Sequence, residues 1–348
     1  MNLSYWEYKT WLSNIDYTIV GSGIVGLNCA LYLKASFPKA KILILEKGVL
    51  PQGASTKNAG FACYGSISEI LADLEHNSEE EVIQLVQRRL DGIRLLRKNL
   101  GDSNIDFRND GGHEVFLSTQ EELFNECQGK LDRVNELLFP IFGKNGFELQ
   151  PNKFGFKGVQ EQYITNTSES QLDTGKMMAA LLAKVQKRGV ILLNSIVVED
   201  FSENNDLVFV KTNQFEFATR KLFFATNGFA SQLLNEEVRP ARAQVLITKP
   251  IENLGIKGTF HLEQGYYYFR DIDNRILLGG GRNLDFKGEE TANPGRTQII
   301  QNKLEQLLSE VILTTTPHEI EHRWSGIMGI GEKKRPIVKQ LSLNVYCG

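Results

Sequence analysis

Asp16-Tyr17-Thr18-Ile19-Val20 runs directly into Gly21-Ser22-Gly23-Ile24-Val25-Gly26, and an apolar helical pattern continues to Leu33. A strand that ends on Gly-x-Gly-x-x-Gly and opens a helix commits the chain to a βα unit of a parallel sheet. In that setting Gly21 allows a tight turn, Gly23 lets the backbone approach a pyrophosphate, and Gly26 lets the helix pack close to the strand. The unpaired N–H groups and dipole at the helix start then suit phosphate charge. A second strand, Lys41-Ile42-Leu43-Ile44-Leu45, delivers Glu46 twenty residues after Gly26, followed by Lys47. An acidic side chain at that distance accepts the ribose hydroxyls of an adenosine. Glycines that only shape a turn are the alternative; strand, helix and acid in the right order favour a bound dinucleotide.

A chain of 348 residues exceeds one simple core, so two domains are expected. The net charge of −3 gives no basic field for nucleic acid or anionic lipid. No apolar run approaches the roughly 20 residues that span a bilayer, and Met1 to Asn14 lacks the apolar core of a signal peptide. Cys29, Cys63, Cys127 and Cys347 are scattered without a C-x-x-C pair, which fits a reducing cytoplasm. His318 and His322 have a metal-like spacing, but in a strand residues four apart are separated by about 13 Å. No metal site is expected.

Along the chain, Gly53 to Gly60 is a loop of small residues able to press its backbone against a flat ligand, or else a mere connector. Ser78 with Glu81 caps a helix carrying Val82, Val86, Leu90, Ile93 and Leu100 on one face. Asp106 to Ser118 reads as a hairpin around Gly111-Gly112, Thr119 with Glu122 as the start of a single further helix, and Gly143 to Thr167 as an irregular crossing. Gln171-Leu172-Asp173 opens another helix, and a strand-rich meander ends at Ala225-Thr226-Asn227-Gly228. Long antiparallel strands follow from Arg239. In the strand Tyr266 to Arg270, Tyr266, Tyr268 and Arg270 share one face. They are candidates for holding a substrate carboxylate, or simply sheet-packing residues.

Taken in order, these motifs resemble the D-amino-acid oxidase-like flavoproteins. The resemblance rests on Gly21 to Gly26, Glu46, the Gly53 to Gly60 loop, Gln171-Leu172-Asp173, Ala225 to Gly228, Arg239 to Gln244, Tyr266-Tyr267-Tyr268 with Gly279-Gly280-Gly281, and Trp324-Ser325-Gly326. Leu3-Ser4-Tyr5-Trp6 and Ala225-Thr226-Asn227 look most like the branch that acts on amines and secondary amines, the glycine and sarcosine oxidase type. It implies an α/β fold: a Rossmann-like FAD-binding domain (14–85, 165–238, 318–348) interleaved with a mixed-sheet substrate domain (86–164, 239–317). Gly21, Ser22, Gly23, Ile24, Val25 and Gly26 would hold the pyrophosphate, with Glu46 and Lys47 at the adenosine ribose. Ser55, Thr56, Lys57, Asn58, Ala59 and Gly60 would run along the ribityl chain and flavin. Val198 would meet the adenine, and Ala225, Thr226, Asn227 and Gly228 would line the adenosine side.

Relatives that attach flavin covalently do so through histidine in the first loop or cysteine near the last domain crossing. Lys57 stands at the first position and no cysteine lies near Trp324 to Gly331, so noncovalent FAD is expected. The implied chemistry is loss of hydride from an amine-bearing carbon to flavin N5, giving an imine that water hydrolyses. The substrate is then a small amine or amino acid, the electron acceptor is open, and no strong base is required. Two departures bear on this. Ile327-Met328-Gly329 replaces the arginine that many amino-acid oxidases carry after the Ser325-Gly326 pair, favouring an amine or N-substituted amino acid. The family pattern also continues past Gly348 with a glycine-rich turn and a helix aimed at the flavin. A flavoprotein oxidising a 2-hydroxy acid and an FAD-binding module without turnover are the alternative readings.

Overall fold

The computed structural model describes residues 2–234, 238–331 and 334–348. Ile15–Val20 is central in a sheet that runs Lys339–Gln340, Val345–Cys347, Glu216–Phe224, Ile15–Val20, Ile42–Leu45, Ile191–Leu193. Its inner neighbours pair parallel. Ile42–Leu45 is a continuous apolar run because both faces are covered: it is wholly buried. On one face lie the helices Ile24–Ser36 and Thr174–Lys187, burying Ile19, Leu27, Ile44, Met178 and Leu181 together. On the other, the antiparallel pair Val198–Glu203 and Val208–Thr212 covers Val20, Leu45, Leu222 and Phe224.

The second sheet runs Ile320–Ile330, Arg239–Thr248, Arg275–Gly280, Tyr267–Ile272, Thr259–Leu262, Gly112–Val115, Gln162–Asn166, Phe147–Pro151. One face packs on the helix Gln298–Leu307 through Ile300, Leu304, Leu246, Phe260, Phe269 and Leu278. Phe260 and Phe269 stack there with centroids 4.5 Å apart. The alternate residues of the same strands, among them Tyr268 and His261, look the other way into a cavity beside the first sheet. Phe61–Ala62 and Ser170–Gln171 form a short antiparallel ladder between the two bodies. A fourth apolar cluster holds the helices Ile67–His76 and Glu79–Leu100 against Glu121–Gly129 and Leu131–Phe142.

Several expectations change. Gly112–Val115 is not half of a hairpin: it pairs parallel to Thr259–Leu262 and antiparallel to Gln162–Asn166. The stretch read as an irregular crossing holds the edge strand Phe147–Pro151 paired with Gln162–Asn166, in which buried Thr165 and Asn166 interrupt the apolar pattern. The single helix after Thr119 is two, beginning at Glu121, with Gln120 Oε1 accepting from Leu117 N–H at 3.0 Å in place of a Thr119–Glu122 box. Ile320–Ile330, placed by sequence in the nucleotide-binding part (318–348), pairs along its whole length with Arg239–Thr248 in the second sheet. Tyr266 precedes its strand, which spans Tyr267–Ile272.

Candidate active site

Two adjoining spaces lie where the sheets meet. The first is a crevice of about 490 Å³ at the C-terminal ends of the parallel strands, lined by Gly21, Ser22, Gly23, Glu46, Ser55 and Thr226, among others. Glu46 is 5% exposed. Ser22 donates to its Oε2 from the backbone N–H (3.1 Å) and the hydroxyl (2.6 Å), and Gly48 N–H donates to Oε1 at 3.0 Å. A carboxylate has about four lone-pair sites, so with three donors already on it the acid is fixed in place with capacity left for about one further donor. Ile24 N–H donates to Ser55 Oγ at 2.9 Å, tying the helix start to the small-residue loop. The strand and helix approach so closely that a Cβ on Gly26 would lie 2.0 Å from the Gly21 carbonyl oxygen.

The second space, about 700 Å³, continues from the first; Ile24, Val25, Ala54, Ser55 and Asn227 line both. Its walls are the Lys57 to Cys63 loop, Leu172 and Met177 from the first body, and Ala243, Val245, His261, Tyr268, Gly326 and Met328 from the second sheet. Phe61 meets the edges of His261 and Tyr268 at 5.4 and 5.8 Å. Asn58 shapes the loop: its Nδ2 donates to Ser55 O (2.9 Å), and its Oδ1 accepts from Gly60 N–H (2.9 Å) and Thr174 Oγ1 (3.0 Å). Trp324 Nε1 donates to Lys57 O at 3.0 Å, pinning the loop to the second sheet.

The sequence-predicted residues distribute unevenly over these spaces. Gly21, Ser22, Gly23, Ile24, Val25, Glu46, Lys47, Ser55, Val198, Ala225, Thr226 and Asn227 line the crevice, and Lys57, Asn58, Ala59 and Gly60 the cavity. Gly26 is a packing glycine behind the crevice. Thr56 turns its hydroxyl to Pro51 O (2.8 Å) and Gly53 O (3.2 Å). Gly228 lies against the second sheet, where a Cβ would meet Met328 O at 2.6 Å.

The three residues proposed to grip a substrate do not act as a group. Tyr268 lines the cavity, and burial pushes its hydroxyl up to about 12. Tyr266 is 42% exposed and edges against Phe286. Arg270 is 1% exposed beneath the loop: its Nη1 donates to Ala59 O (3.1 Å), Gly60 O (3.1 Å) and Leu172 O (2.6 Å). Burial, helped by Arg108, lowers its value to about 10, so it remains a cation at neutral pH. The alternation along the strand holds, but the guanidinium serves the backbone and no carboxylate. It also explains Gly60, since a Cβ there would sit 2.2 Å from Leu172 O and 2.5 Å from Arg270 Nη1.

Sequence reasoning missed a buried ionisable cluster at the cavity wall. His261 lies 3.5 Å from Glu169 Oε2 through Nε2 and 4.0 Å from Glu69 Oε2 through Nδ1. Glu114 is its register partner on the adjacent strand. Burial by itself depresses His261, but the carboxyls of Glu169, Glu69 and Glu114 outweigh it and raise the ring to about 9. Burial raises Glu114, which takes the Ser68 N–H and hydroxyl. Burial also favours neutral Glu69, yet the His261 charge and the Ser66 N–H turn the balance and hold it below its usual value. Cys63 lines the same cavity, and burial with Glu169 and Glu69 pushes its thiol far up. Ser66-x-x-Glu69 was visible as a capping box; nothing local marks the rest, which three distant segments bring together. Among the described residues no group of three His, Cys, Asp or Glu could hold a metal ion, and no helix is long and apolar enough to cross a membrane.

The residues fit FAD. The crevice has a phosphate cradle at a helix start, a fixed acid and a buried Thr226 Oγ1 without a hydrogen-bond partner. The cavity beyond it is broad and mostly apolar-walled. A family model described as "DAO: FAD dependent oxidoreductase" matches residues 16–348. Among solved structures, L-proline dehydrogenase from P. horikoshii has a TM-score of 0.73 at 18% identity, over 96% of this chain and 87% of that one. Glycine oxidase from Bacillus cereus ATCC 14579 gives 0.73 at 15% identity over 96% and 88%. Iminodiacetate oxidase from Chelativorans sp. BNC1 gives 0.74 at 16% identity over 95% and 89%. No curated protein sequence matched.

Proposed function

This chain belongs to the DAO family of FAD-dependent oxidoreductases, and we propose that it oxidises a C–N bond of a small amine or N-substituted amino acid. The observation that carries the reading is continuity: the fingerprint crevice opens directly into a cavity walled by aromatic and aliphatic side chains. FAD, when bound, supplies the acceptor for a hydride equivalent. Gly21, Gly23 and the helix start would hold its pyrophosphate and Glu46 its ribose, while the Ala54 to Gly60 loop would lie along the flavin end.

The chain's own part in the reaction is positioning and exclusion of water. Arg270 and Asn58 keep the loop's carbonyls and amides in one arrangement. Phe61, Val245, Tyr268 and Met328 present a low-dielectric wall in which a neutral amine is favoured over its ammonium form. Among the described residues lining this cavity, Lys57 is present and no arginine is. FAD is held noncovalently in this reading. Cys63, the cysteine at the cavity, has a thiol pushed so far up that little thiolate is available for attachment.

Purified protein should carry flavin absorbance, and acid precipitation should leave a colourless pellet under a yellow supernatant. Anaerobic addition of a reactive amine should bleach the flavin bands. A pellet that stays yellow overturns noncovalent attachment. A panel of amines, N-substituted amino acids and 2-hydroxy acids in which only hydroxy acids bleach the flavin overturns C–N oxidation.

A further inference from the structure

Leu3-Ser4-Tyr5-Trp6 has no part in either space: it opens the helical stretch Tyr5–Glu7 and Tyr8–Leu12, none of whose residues lines the crevice or the cavity. The stretch is held in shape from within. Ser4 N–H donates to Glu7 Oε2 at 2.8 Å, and Glu7 N–H donates back to Ser4 Oγ at 3.2 Å. Leu12, 3% exposed, and the partly buried Leu3 fasten its two ends to the apolar cluster that holds Ile15 and Val208. Between those anchors every residue from Ser4 to Trp11 is exposed. A helix on a protein surface ordinarily turns its apolar stripe inward. This one turns Tyr5 (67% exposed), Trp6 (70%), Tyr8 (44%) and Trp11 (47%) outward.

The surroundings of the helix are basic. The whole-chain charge of −3, which argued against a basic field, is an average. Lys41 Nζ donates to Thr10 O (2.7 Å) and Ser13 O (2.8 Å), joining the helix to the turn that follows Ile24–Ser36. That turn brings exposed Lys39, Lys34, whose Nζ donates to Ala40 O at 2.6 Å, and the half-exposed ring of Phe37. Arg220 adjoins through Asp16 at 3.4 Å, and Asp16 Oδ2 also accepts from Lys41 N–H at 2.8 Å. Lys9 lies over the Tyr5 and Trp6 rings, 5.6 and 5.9 Å from their centroids. Against Lys9, Lys34, Lys39, Lys41 and Arg220 stand Glu7, engaged in the cap, and Asp16.

We propose that this edge of the nucleotide-binding body docks on an anionic lipid bilayer, with Trp6 and Trp11 at headgroup depth and Lys9, Lys39 and Arg220 against lipid phosphates. Tyrosine and tryptophan join an apolar ring to a polar tip, the combination that settles where hydrocarbon meets headgroup. Residues 5–12 fall far short of the roughly 20 that span a bilayer, so the contact is peripheral. The rings stand on a projecting helix, whereas the anchors of protein interfaces fill desolvated pockets within a broad patch. A lipid surface offers phosphate at every point, so scattered cations need no matched carboxylates. The edge lies where Ile15–Val20 and Ile42–Leu45 begin, opposite the crevice at their far ends. Docking therefore leaves the crevice clear of the bilayer.

The test uses the full FAD-loaded chain with vesicles of phosphatidylcholine alone, or mixed three to one with phosphatidylglycerol, read by co-sedimentation. Binding to the mixed vesicles should be about tenfold tighter than to the neutral ones. It should be lost between about 0.1 M and 1 M salt, as the screening length falls from about 10 Å to about 3 Å. Trp6→Ala with Trp11→Ala should weaken it about thirtyfold at unchanged flavin content and melting temperature. Lys9→Glu with Lys39→Glu should weaken it about tenfold, an independent check on the charge. No binding to the mixed vesicles, equal affinity for both kinds, or unaltered affinity in the tryptophan variant overturns the proposal. So does a wild-type dimer that the tryptophan variant turns into a monomer, which gives the rings to a second copy of the chain. Polyglutamate binding as tightly as the mixed vesicles also overturns it, in favour of an acidic protein partner.

Discussion

The crevice and the cavity share five lining residues yet are made from different material. Around the crevice, position is set by backbone: a strand end, a turn, a helix start and one acid, all within residues 15–48. Around the cavity it is set by side chains from the Ala54–Cys63 loop, the Ile67–His76 helix and the strands at 239–248, 259–262, 267–272 and 320–330. The backbone-built region admits almost no added atom, whereas the side-chain-built region depends on charges and hydrogen bonds that have replaced water. Shape faults should therefore dominate failure in the first, and polar faults in the second.

The largest expected effect breaks the crevice. Gly26→Ala puts a methyl 2.0 Å from the Gly21 carbonyl. The atom met at 2.0 Å is backbone and cannot swing aside, so strand and helix must separate. Flavin content, read from the ratio of visible to ultraviolet absorbance, should fall below about a tenth of wild type. Retention of full flavin content would mean that the close packing is not what forms the cradle.

An intermediate effect belongs to the cavity. Arg270→Met keeps the bulk but withdraws the donor shared by Ala59 O, Gly60 O and Leu172 O. Leaving buried carbonyls without that donor should cost about 3 kcal/mol in urea unfolding. FAD affinity should weaken through the loosened loop while Glu46 and its partners stay in place. An unchanged unfolding midpoint would show that the loop keeps its shape without the guanidinium.

The smallest effect is a pH dependence. His261 faces Glu69, Glu169, Glu114 and His113. Its folded value, about 9, lies above the ordinary 6.5. The stability it contributes is complete below the ordinary value and is lost as pH rises through the folded one. The melting temperature should therefore fall by about 5 °C between about pH 7 and pH 10. His261→Gln should flatten that decline. An identical slope in the variant would place the titration elsewhere.

The crevice was legible in the chain because its determinants are local. Glycine spacing, the strand ahead of it and Glu46 at the end of the next strand fall within 31 residues, Asp16 to Glu46, and backbone sterics act over that range. The Asn58 loop was legible as a loop of small residues, though not the reason for its shape, which is Arg270 supplied from more than two hundred residues away. Arg270 was misassigned because alternation gives a side chain's face and not what waits there. Gly112–Val115 and Gln162–Asn166 were misread because polar residues, His113, Glu114, Thr165 and Asn166, fill buried positions and break the apolar run expected of a covered strand.

By itself the sequence determined the parallel βα unit, its acid and the kind of ligand that suits them, since those features follow from φ/ψ limits and close backbone packing in a short segment. Only the tertiary structure decided which charges meet at the cavity wall. Strand register set Glu114 beside His261, and a loop and a helix from elsewhere brought Glu169 and Glu69 to the same imidazole. Electrostatic partnership is a matter of distance in space, and nothing in the local chain encodes that distance.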